Sequence, residues 1–515
     1  MNDATTSRET AMMDGGATKP TGPVSPRLAL VLTGALLTMI LAALDQNIVN
    51  TALPRIVGDL GGMQHLSWVV TAFMLTSTAT TTLYGKLSDL FGRRLLIFVA
   101  VGLFLAGSLA CGSARSMGAL IAFRGLQGLG AGGLLVLAQS VIGDVISPRE
   151  RPRYQGLFTG TFALASVAGP VLGGAITQMI SWRWVFYINL PIGLLALTMI
   201  AVALPGSAKR ETAPIDWIGA ALLTGATASF LLLLAWGGSE FPWVSPSAAG
   251  LLTLTVLLVA GFLAQERRAA DPLIRLPLFH NVVFRRGVVV GGMMVFAMMG
   301  STVFLPLYFQ LVLGMAPATA GAMLLPQVVG MVLTSFIGGA LVSRSGRNRP
   351  FLLAGIGLEA VALASLAVFA WVGAAPMVFL VSMALLGLGM GMGMPNITVA
   401  VQNAVAHREL GAATGAMTFA RSLGGALGVA TSGTIMAQRL SGAFGHIGGI
   451  DVADLTAHGV EALARFTPAQ QAMVSDVYRG ALTGCFVLSG VVMTIAFVLV
   501  LGLPDTLLRD AISEE

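Results

Sequence analysis

Long runs of apolar residues without a charged side chain follow one another along most of this chain. An α-helix needs roughly 20 apolar residues to cross a membrane, so each run of about that length predicts one transmembrane helix. A first run begins at Leu28. The next charge-free runs cover residues 66–84, 95–114, 125–143, 155–182, 184–208, 217–239 and 241–265.

Two later runs are too long for a single helix. Residues 287–343 and residues 360–407 carry no charge. Glycine and proline interrupt them at residues 314–317 and 373–376. These residue types mark turns, so each run predicts a helical hairpin. Two further spans, one around Arg421 and one over residues 480–503, bring the prediction to fourteen transmembrane helices.

The composition agrees with an integral membrane protein. Hydrophobic residues make up 56% of the 515 residues and charged residues only 10%, whereas soluble domains carry about 25% charged residues. This excludes a soluble enzyme, a secreted disulfide scaffold and a disordered regulator. No lysine lies in a G-x-x-x-x-G-K-[ST] context, so no ATP-binding loop is predicted. With no metal-ligand cluster, nucleophile motif or appended domain either, we predict a non-enzyme without a cofactor.

The positive charges are distributed unequally between the two faces that these helices define. With fourteen spans, both termini and the loops after even-numbered helices share one face, which collects 21 of the 29 lysines and arginines. The opposite face has six, while Arg124 and Arg421 lie within spans. Because cytoplasmic loops carry the excess of positive charge, both termini are predicted to be cytoplasmic. We call the two surfaces the basic face and the opposite face.

A short sequence pattern occurs twice and indicates an internal repeat. Residues 85–94 (GKLSDLFGRR) follow the second span, and residues 339–347 (GALVSRSGR) repeat their Gly, Leu, Gly and Arg at the same spacing after the tenth. Parallel repeats of this kind are a transporter architecture. The displacement by eight helices predicts five parts in order: a tail (residues 1–27), a six-helix half (28–205), two inserted helices (206–270), a second six-helix half (271–505) and a tail (506–515).

Five segments occur in the order of the first six helices. They are 44–54 (LDQNIVNTALP), 85–94, 124–128 (RGLQG), 169–174 (GPVLGG) and 182–191 (WRWVFYINLP). With them the chain resembles the major facilitator superfamily, and within it the fourteen-helix drug/proton antiporters (the EmrB/QacA-like group). The resemblance covers Leu28 to about Leu503. It implies an all-α integral membrane protein whose two halves rock about a midplane cavity, which is alternating access.

Asp45 is a carboxyl inside the first span, where an ionised group costs several kcal/mol unless it is paired or hydrated. If the first helix ends near Arg55, Asp45 lies about 15 Å in from the opposite face, and Arg124 lies roughly 9 Å in from the same side. The similar depths predict that the two side chains interact. Two interpretations stay open: a proton site whose protonation changes its partnership with Arg124, and a static salt bridge.

The loop after the second helix is the second candidate. In the family that the chain resembles, this loop latches the two halves in the outward-facing state, and Gly85, Asp89, Gly92 and Arg93 match its pattern. Glycine permits a tight turn there, and Asp89 can accept hydrogen bonds from a helix N-terminus and an arginine. The alternative is that the basic residues of the loop only set the topology.

The fifth helix carries the third candidate. Gly169, Pro170, Gly173 and Gly174 match a pattern that in the family accompanies antiport and seals the resting protein against leak. Proline removes one backbone hydrogen bond and bends a helix, while glycine permits close contact. Ordinary packing of small residues is the alternative.

Polar residues within the spans are the candidates for contact with substrate, and each can equally form an interhelical hydrogen bond. Glu359 lies in the eleventh helix, which this architecture places at the periphery, and it is not predicted to be a proton site. The predicted substrate-binding residues are Gln46, Asn50, Gln127, Tyr308, Gln310, Gln327, Asn396 and Arg421.

Together these observations predict a proton-coupled antiporter in a bacterial cytoplasmic membrane that exports lipophilic compounds, with cations favoured, and so confers resistance to antibiotics. Its partners would be lipophilic small molecules, protons and membrane lipid, with a periplasmic adaptor protein left open and nucleic acid excluded. An exporter of one metabolite, lipid or siderophore remains an alternative, and so does a nutrient uptake symporter, because the fold does not decide the cargo.

Overall fold

The computed structural model describes residues 26–61, 66–204, 216–238, 240–270, 272–315, 317–444, 467–505 and 507–508. The described residues are mostly helical and form no strand longer than an isolated bridge. Most of the two predicted tails and most of the loop at residues 438–479 lie outside them. The long helices are α1 (Pro26–Leu60), α2 (Leu66–Phe91), α3 (Arg93–Gly112), α4 (Met117–Val145), α5 (Arg151–Met179), α6 (Asn189–Ala203), α7 (Trp217–Trp236), α8 (Pro246–Glu266), α9 (Val282–Thr302), α10 (Leu325–Ser345), α11 (Arg349–Val372), α12 (Pro376–Asn403), α13 (Leu410–Phe444) and α14 (Pro468–Leu501).

Local sequence explains where several helices begin and end. Ser116, Asp216 and Ser245 each precede a helix and accept a hydrogen bond from the backbone N–H three residues later, as N-cap residues do. Gly314 and Gly373 adopt φ values of +65°, a conformation that glycine tolerates. They lie at the two predicted interruptions, so both helical hairpins are confirmed. The first helix ends at Leu60, beyond the predicted end near Arg55.

Eleven helices of the described chain are long and apolar enough to cross a membrane, and α5 raises the number to twelve if its bent segments are one span. The count of fourteen spans therefore stays a prediction. The two long helices that fall short of this criterion are α2 and α13, which pack against each other. Mutual packing explains their composition, because a helix covered by protein needs less apolar surface than a helix covered by lipid.

The packing of α1–α6 recurs in α9–α14, eight helices later. In the first group, α1 packs on α5 and α6, and α4 packs on α2 and α3. In the second group, α9 packs on α13 and α14, and α12 packs on α10 and α11. The repeat suggested by the two short sequence patterns therefore extends to the tertiary contacts. The domain boundaries drawn from the sequence remain predictions.

The inserted helices α7 and α8 pack on each other, and α7 also contacts α2 and α13. The indole rings of Trp68 and Trp236 meet at 5.2 Å between centroids. Phe262 belongs to a small apolar cluster that includes Leu83 of α2 and Phe419 of α13. The inserted pair thus covers the junction between the two groups of six helices.

Several helix pairs join the groups directly, and the two most extensive of them, α5 with α10 and α2 with α13, meet near the basic face. A Cβ atom added at Gly339 of α10 would contact the backbone of Pro152 in α5. One added at Gly85 of α2 would lie 2.5 Å from the carbonyl oxygen of Gly411 in α13. Arg149 also donates a hydrogen bond of 3.1 Å to the carbonyl of Ser343. The described conformation is therefore closed at the basic face.

Candidate functional site

Asp45 and Arg124 form a buried ion pair between α1 and α4. The Nη1 atom of Arg124 lies 2.7 Å from Oδ2 of Asp45. Their side chains are 0% and 2% exposed, so water contributes little to their solvation. A buried charge requires a partner and further hydrogen bonds, and this pair has both. The contact expected from the depth count is present, while its role in proton coupling remains a proposal.

Amide and hydroxyl groups enclose the Asp45 carboxylate, and we call the set of Asp45, Arg124, Gln127, Asn189 and Ser108 the carboxylate cage. The second oxygen of Asp45 accepts hydrogen bonds from Gln127 Nε2 at 2.8 Å and Asn189 Nδ2 at 2.9 Å. Both amides also donate to Ser108, at 2.8 and 3.2 Å. Gln127 accepts from Arg124 at 2.6 Å. The cage thus joins α1, α3, α4 and α6.

Arg124 has aromatic as well as polar neighbours. Its guanidinium carbon lies 4.0 Å from the ring centroid of Phe73, and its Nε donates to the carbonyl of Val69 at 3.3 Å. A cation over an aromatic face is attracted by the ring quadrupole. Because Phe73 and Val69 belong to α2, the arginine also ties the cage to the helix that contacts α13.

Sequence reasoning missed two members of the cage and misassigned one. Ser108 and Asn189 were not predicted as site residues, although Asn189 lies in the 182–191 motif. Gln127 was predicted to contact substrate, whereas in the structure it donates to Asp45 and is 0% exposed. A polar residue in an apolar run marks a position that avoids lipid, but it does not identify the partner.

The loop predicted to be a latch connects α2 with α13. Asp89 accepts hydrogen bonds from the backbone N–H groups of Gly411 and Ala412, at 3.1 and 2.8 Å. These are orphan donors at the first turn of α13, where a negative charge is favourable. Arg93 pairs with Asp89 at 2.6 Å and with Asp144 at 2.9 Å. The loop therefore holds α13 against the first six helices by direct bonds.

Glycines allow this approach. Gly92 has a φ of +87° between the end of α2 and the start of α3, a conformation that favours glycine. Gly85 leaves no space between its own backbone and that of Gly411 and Gly415. All four residues predicted for the latch thus contribute to it, two through charge and two through backbone geometry. Their action as a gate is a proposal.

The motif of α5 packs against α1 in part. A Cβ at Gly169 would lie 2.6 Å from Cβ of Asn47, and one at Gly173 would collide with Thr51. Nothing lies within 4 Å of a Cβ at Gly174, so the close contact expected there is not formed. The side chain of Pro170 lies outside the described residues. Gly169 and Gly173 bring α5 onto the helix that carries Asp45.

The residues predicted to contact substrate are spread over the protein. Gln46 is exposed on α1, and the side chain of Asn50 lies outside the described residues. Tyr308 is 0% exposed and packs on Phe379 with 5.1 Å between ring centroids. A buried aromatic cluster at one end of α9 therefore holds Tyr308, contrary to the expected position in a cavity wall. Gln310 follows it in a π-helical turn and is partly buried.

Two other predicted residues, Gln327 and Asn396, face the second group of helices. Gln327 is 6% exposed, and its amide lies 3.4 Å from Thr302 Oγ1 and from the sulfur of Met390. Asn396 is 1% exposed and donates to the carbonyl of Met392 at 2.7 Å within α12. Gln327 thus makes contacts between helices, the alternative that the sequence left open, whereas the Asn396 amide bonds within its own helix.

Arg421 is a partly buried arginine within the second group of helices. Its Nη2 donates to the carbonyl of Met394 at 3.1 Å and to Thr398 Oγ1 at 2.8 Å. Both acceptors belong to α12. The Nε atom is buried without a hydrogen-bond partner. The guanidinium therefore links α13 to α12 and keeps unused donor capacity.

Glu359 lies between α11 and α12, in space that glycines leave open. A Cβ at Gly389 would lie 2.7 Å from its Cγ, and one at Gly393 would lie 3.1 Å from its Oε1. Glu359 is 1% exposed, and Oε1 has no hydrogen-bond partner. The carboxyl is thus enclosed by protein between α11 and α12.

We expect Glu359→Met to retain transport and to raise the unfolding temperature of the purified protein by several degrees. Methionine has a similar length, and replacing a buried polar group that lacks a partner removes a desolvation cost of about 1–3 kcal/mol. Thermal unfolding in detergent measures the effect, with Glu359→Gln as the variant that keeps the shape and the polarity. Loss of proton-driven transport in a folded Glu359→Met protein would contradict this and assign the carboxyl to the transport cycle.

The repeated helix groups, the buried ion pair and the closure at one face define a multi-pass membrane transporter. Residues 35–429 match the sequence model of the Major Facilitator Superfamily. The chain belongs to this family, whose members are transporters and not enzymes.

Known proteins agree with this assignment. The chain is 38% identical over 412 residues to the multidrug transporter protein MdtP of Bacillus subtilis (strain 168), covering 80% of this chain and 75% of that protein. It is 31% identical over 516 residues to the efflux pump FUS6 of Gibberella moniliformis, covering 95% and 90%. The solved structure of the proton:xylose symporter XylE aligns with a TM-score of 0.60 at 16% identity, covering 92% and 96%, a likeness of fold alone. The sequence relatives support a drug efflux transporter.

Proposed function

We propose that this protein exports lipophilic compounds in exchange for protons by alternating access. The observation that carries the proposal is the ion pair of Asp45 and Arg124, which is buried and enclosed by hydrogen bonds. Ionisable residues deep in a membrane protein are expensive and often mark ion pathways. The names of the sequence relatives, a multidrug transporter and an efflux pump, support export as the direction of transport and drug-like compounds as the cargo.

Protonation of Asp45 would change bonds that join three helices, α1, α4 and α6. The ionised carboxylate accepts from Arg124, Gln127 and Asn189. A neutral carboxyl attracts the guanidinium far less and carries a donor of its own. Arg124 would then keep its bonds to Gln127 and Val69 and lose its charged partner. One proton therefore alters the packing of α1 against α4 and α6.

Opening and closing of the latch is the conformational change whose equilibrium protonation of Asp45 would shift. Asp89 holds the first turn of α13, and Arg93 holds Asp89 and Asp144. The bonds from Asp89 to the backbone of Gly411 and Ala412 exist only while the two groups of helices are together at the basic face. Opening that face breaks them, so the latch stabilises the closed form and cargo binding must offset the loss. The positive charge of the loops supports a basic face in the cytoplasm.

The finer assignments belong to this proposal. We place the protein in a bacterial cytoplasmic membrane with both termini in the cytoplasm, and expect it to confer resistance to antibiotics. The proton gradient would drive it without a cofactor, and a periplasmic adaptor remains open as a partner. Export of a single metabolite, lipid or siderophore is the second candidate.

Transport in inverted membrane vesicles tests the function. With the vesicle interior made acidic, we expect accumulation of lipophilic dyes from a panel that includes ethidium, Hoechst 33342 and 1-pyrenebutyrate, because protons leaving the vesicle drive the dye inwards. A protonophore should abolish the accumulation, and vesicles without the protein provide the baseline. Accumulation that persists after the gradient collapses would refute antiport, and accumulation driven only by an alkaline interior would indicate a symporter.

A further inference from the structure

Arg421 is a positive charge in the described membrane-spanning part of the chain that no acidic residue neutralises. Its described polar contacts are a backbone carbonyl and a threonine hydroxyl. Of the two acids deep within the described spans, Asp45 pairs with Arg124, and Glu359 is enclosed between α11 and α12. Neither is within ion-pair distance of Arg421.

The guanidinium lies where α12 is irregular. Pro395 is inside α12 and cannot donate to the carbonyl of Gly391, which instead accepts a hydrogen bond of 3.2 Å from Ser335 of α10. Met394, the residue before the proline, gives its carbonyl to Arg421. Discontinuities of this kind near the membrane centre commonly form substrate sites in transporters.

The donors of Arg421 are only partly used. Arginine has five N–H donors in a planar fork, and one nitrogen makes both observed bonds. The Nε atom has no partner and lies 3.6 Å from the position of a Cβ at Gly291 of α9. Part of the side chain remains accessible. The guanidinium can therefore bind an anion without first breaking an ion pair with a carboxylate.

The surroundings favour an anion with an apolar body. Met417, one turn before Arg421, lies against Gly291, and Met394 lies on the facing side of α12. Methionine side chains adapt to irregular apolar shapes. A charge inside a span costs several kcal/mol without a partner, and arginine pairs with carboxylates through two parallel hydrogen bonds.

We infer that Arg421 is the anion-binding residue of the substrate site and that the preferred cargo is a lipophilic carboxylic acid. The inference rests on the proposed export function and names the class of substrate. It departs from the cationic cargo that the sequence favoured, because the two acids deep within the described spans, Asp45 and Glu359, are both buried from a cation. Asp45 is already bound by Arg124, Gln127 and Asn189.

Binding of matched probes tests the inference without a proton gradient. The full chain in lipid nanodiscs is titrated with 1-pyrenebutyrate, its methyl ester and 1-pyrenebutylamine, and with the same three derivatives of naphthalene and biphenyl. We expect the acid to bind at least about tenfold more tightly than the ester or the amine, because a charge-assisted hydrogen bond contributes about that factor or more. Equal affinity of acid and ester for every skeleton, or tighter binding of the amine, would overturn the inference.

Variants separate charge recognition from helix packing. Arg421→Gln should reduce the ratio of acid to ester affinity to about one, whereas Arg421→Lys should keep part of it. Thr398→Val removes the hydroxyl contact of Arg421 but keeps its charge, so the ratio should survive. If Arg421→Gln does not fold, the lysine and valine variants still decide the question. An unchanged ratio in a folded Arg421→Gln protein, or a ratio lost in Thr398→Val although the charge is kept, would give Arg421 a packing role only.

An inorganic anion such as chloride is the other class of ligand that the Arg421 guanidinium would bind. Titrations in chloride and in gluconate distinguish them, since competition by millimolar chloride together with no preference for acid over ester would assign the position to a bound chloride and overturn the inference. The proposed antiport has a separate readout. Selective acid binding without proton-driven uptake in vesicles would support the inference and refute the antiport, and the reverse result would do the opposite.

Discussion

Asp45→Asn should abolish proton-driven dye accumulation in inverted vesicles while the protein remains in the membrane. Asparagine has nearly the same shape and can still accept a hydrogen bond from Gln127 or Asn189. It cannot bind a proton at physiological pH, so the cage would lose its only described titratable acid. A pump-deleted host that carries Asp45→Asn should be no more resistant to the exported compounds than the same host without the protein.

The substitution also leaves Arg124 buried without its charged partner. Breaking a buried ion pair costs about 3–5 kcal/mol, so thermal unfolding of the purified variant should begin at a lower temperature. The double variant Asp45→Asn/Arg124→Gln removes both charges, and we expect it to regain stability and to remain inactive. This pair of variants separates loss of coupling from loss of the fold.

Asp59→Asn is the matched control on the same helix. Asp59 lies near the end of α1, with an exposed side chain that accepts a hydrogen bond of 2.7 Å from Trp182. An asparagine there can keep that bond, so transport should persist. Proton-driven accumulation that continues undiminished in Asp45→Asn would leave the ion pair with a structural role only.

Gly85→Val should open the basic face. Any Cβ at residue 85 would lie 2.5 Å from the Gly411 oxygen and 3.1 Å from the Gly415 Cα. Both neighbours are backbone atoms, so α2 and α13 must separate. Separation weakens the bonds from Gly411 and Ala412 to Asp89, and the population should shift from the closed form to one open at the basic face.

A cysteine at Thr414 reports the opening, because this residue of α13 is 1% exposed in the closed form. Its rate of reaction with a maleimide in detergent should rise at least about tenfold, which corresponds to about 1.4 kcal/mol. The native cysteines, Cys111 and Cys485, are both buried and are replaced by serine in every sample. Gly102→Val on α3 is the matched control, since a Cβ there meets nothing within 4 Å. Identical rates for the two valine variants would contradict a gate at Gly85.

Several features could be predicted from the sequence because they depend on local composition. A charge in an apolar run is visible in the sequence, and the cost of burying it requires a partner. The depth count then selected Arg124 for Asp45. The two long runs could be recognised as hairpins because glycine and proline mark turns, and in the structure Gly314 and Gly373 adopt a backbone conformation that few other residues tolerate.

Other features could not be predicted because they depend on how helices cross. A serine or an amide within a span has several neighbours within reach, and only the crossing of α3, α4 and α6 places Ser108, Gln127 and Asn189 around one carboxylate. The same reason explains Tyr308, which was predicted to line a cavity and packs among phenylalanines. At Gly174 the expected neighbour is absent, because successive residues of a helix point about 100° apart and Gly173, not Gly174, faces α1.

The sequence by itself determined the class of protein, the order of its helices and the charged residues that require an explanation. These features depend on the hydropathy and charge of neighbouring residues in the chain, which the sequence shows directly. Only the tertiary structure decided which side chains surround Asp45, which helix Asp89 holds, and that Arg421 has no acidic partner among the described residues. These contacts join residues between 23 and 323 positions apart in sequence. Helix packing brings these distant residues together, and the packing of helices cannot be predicted from a local sequence pattern.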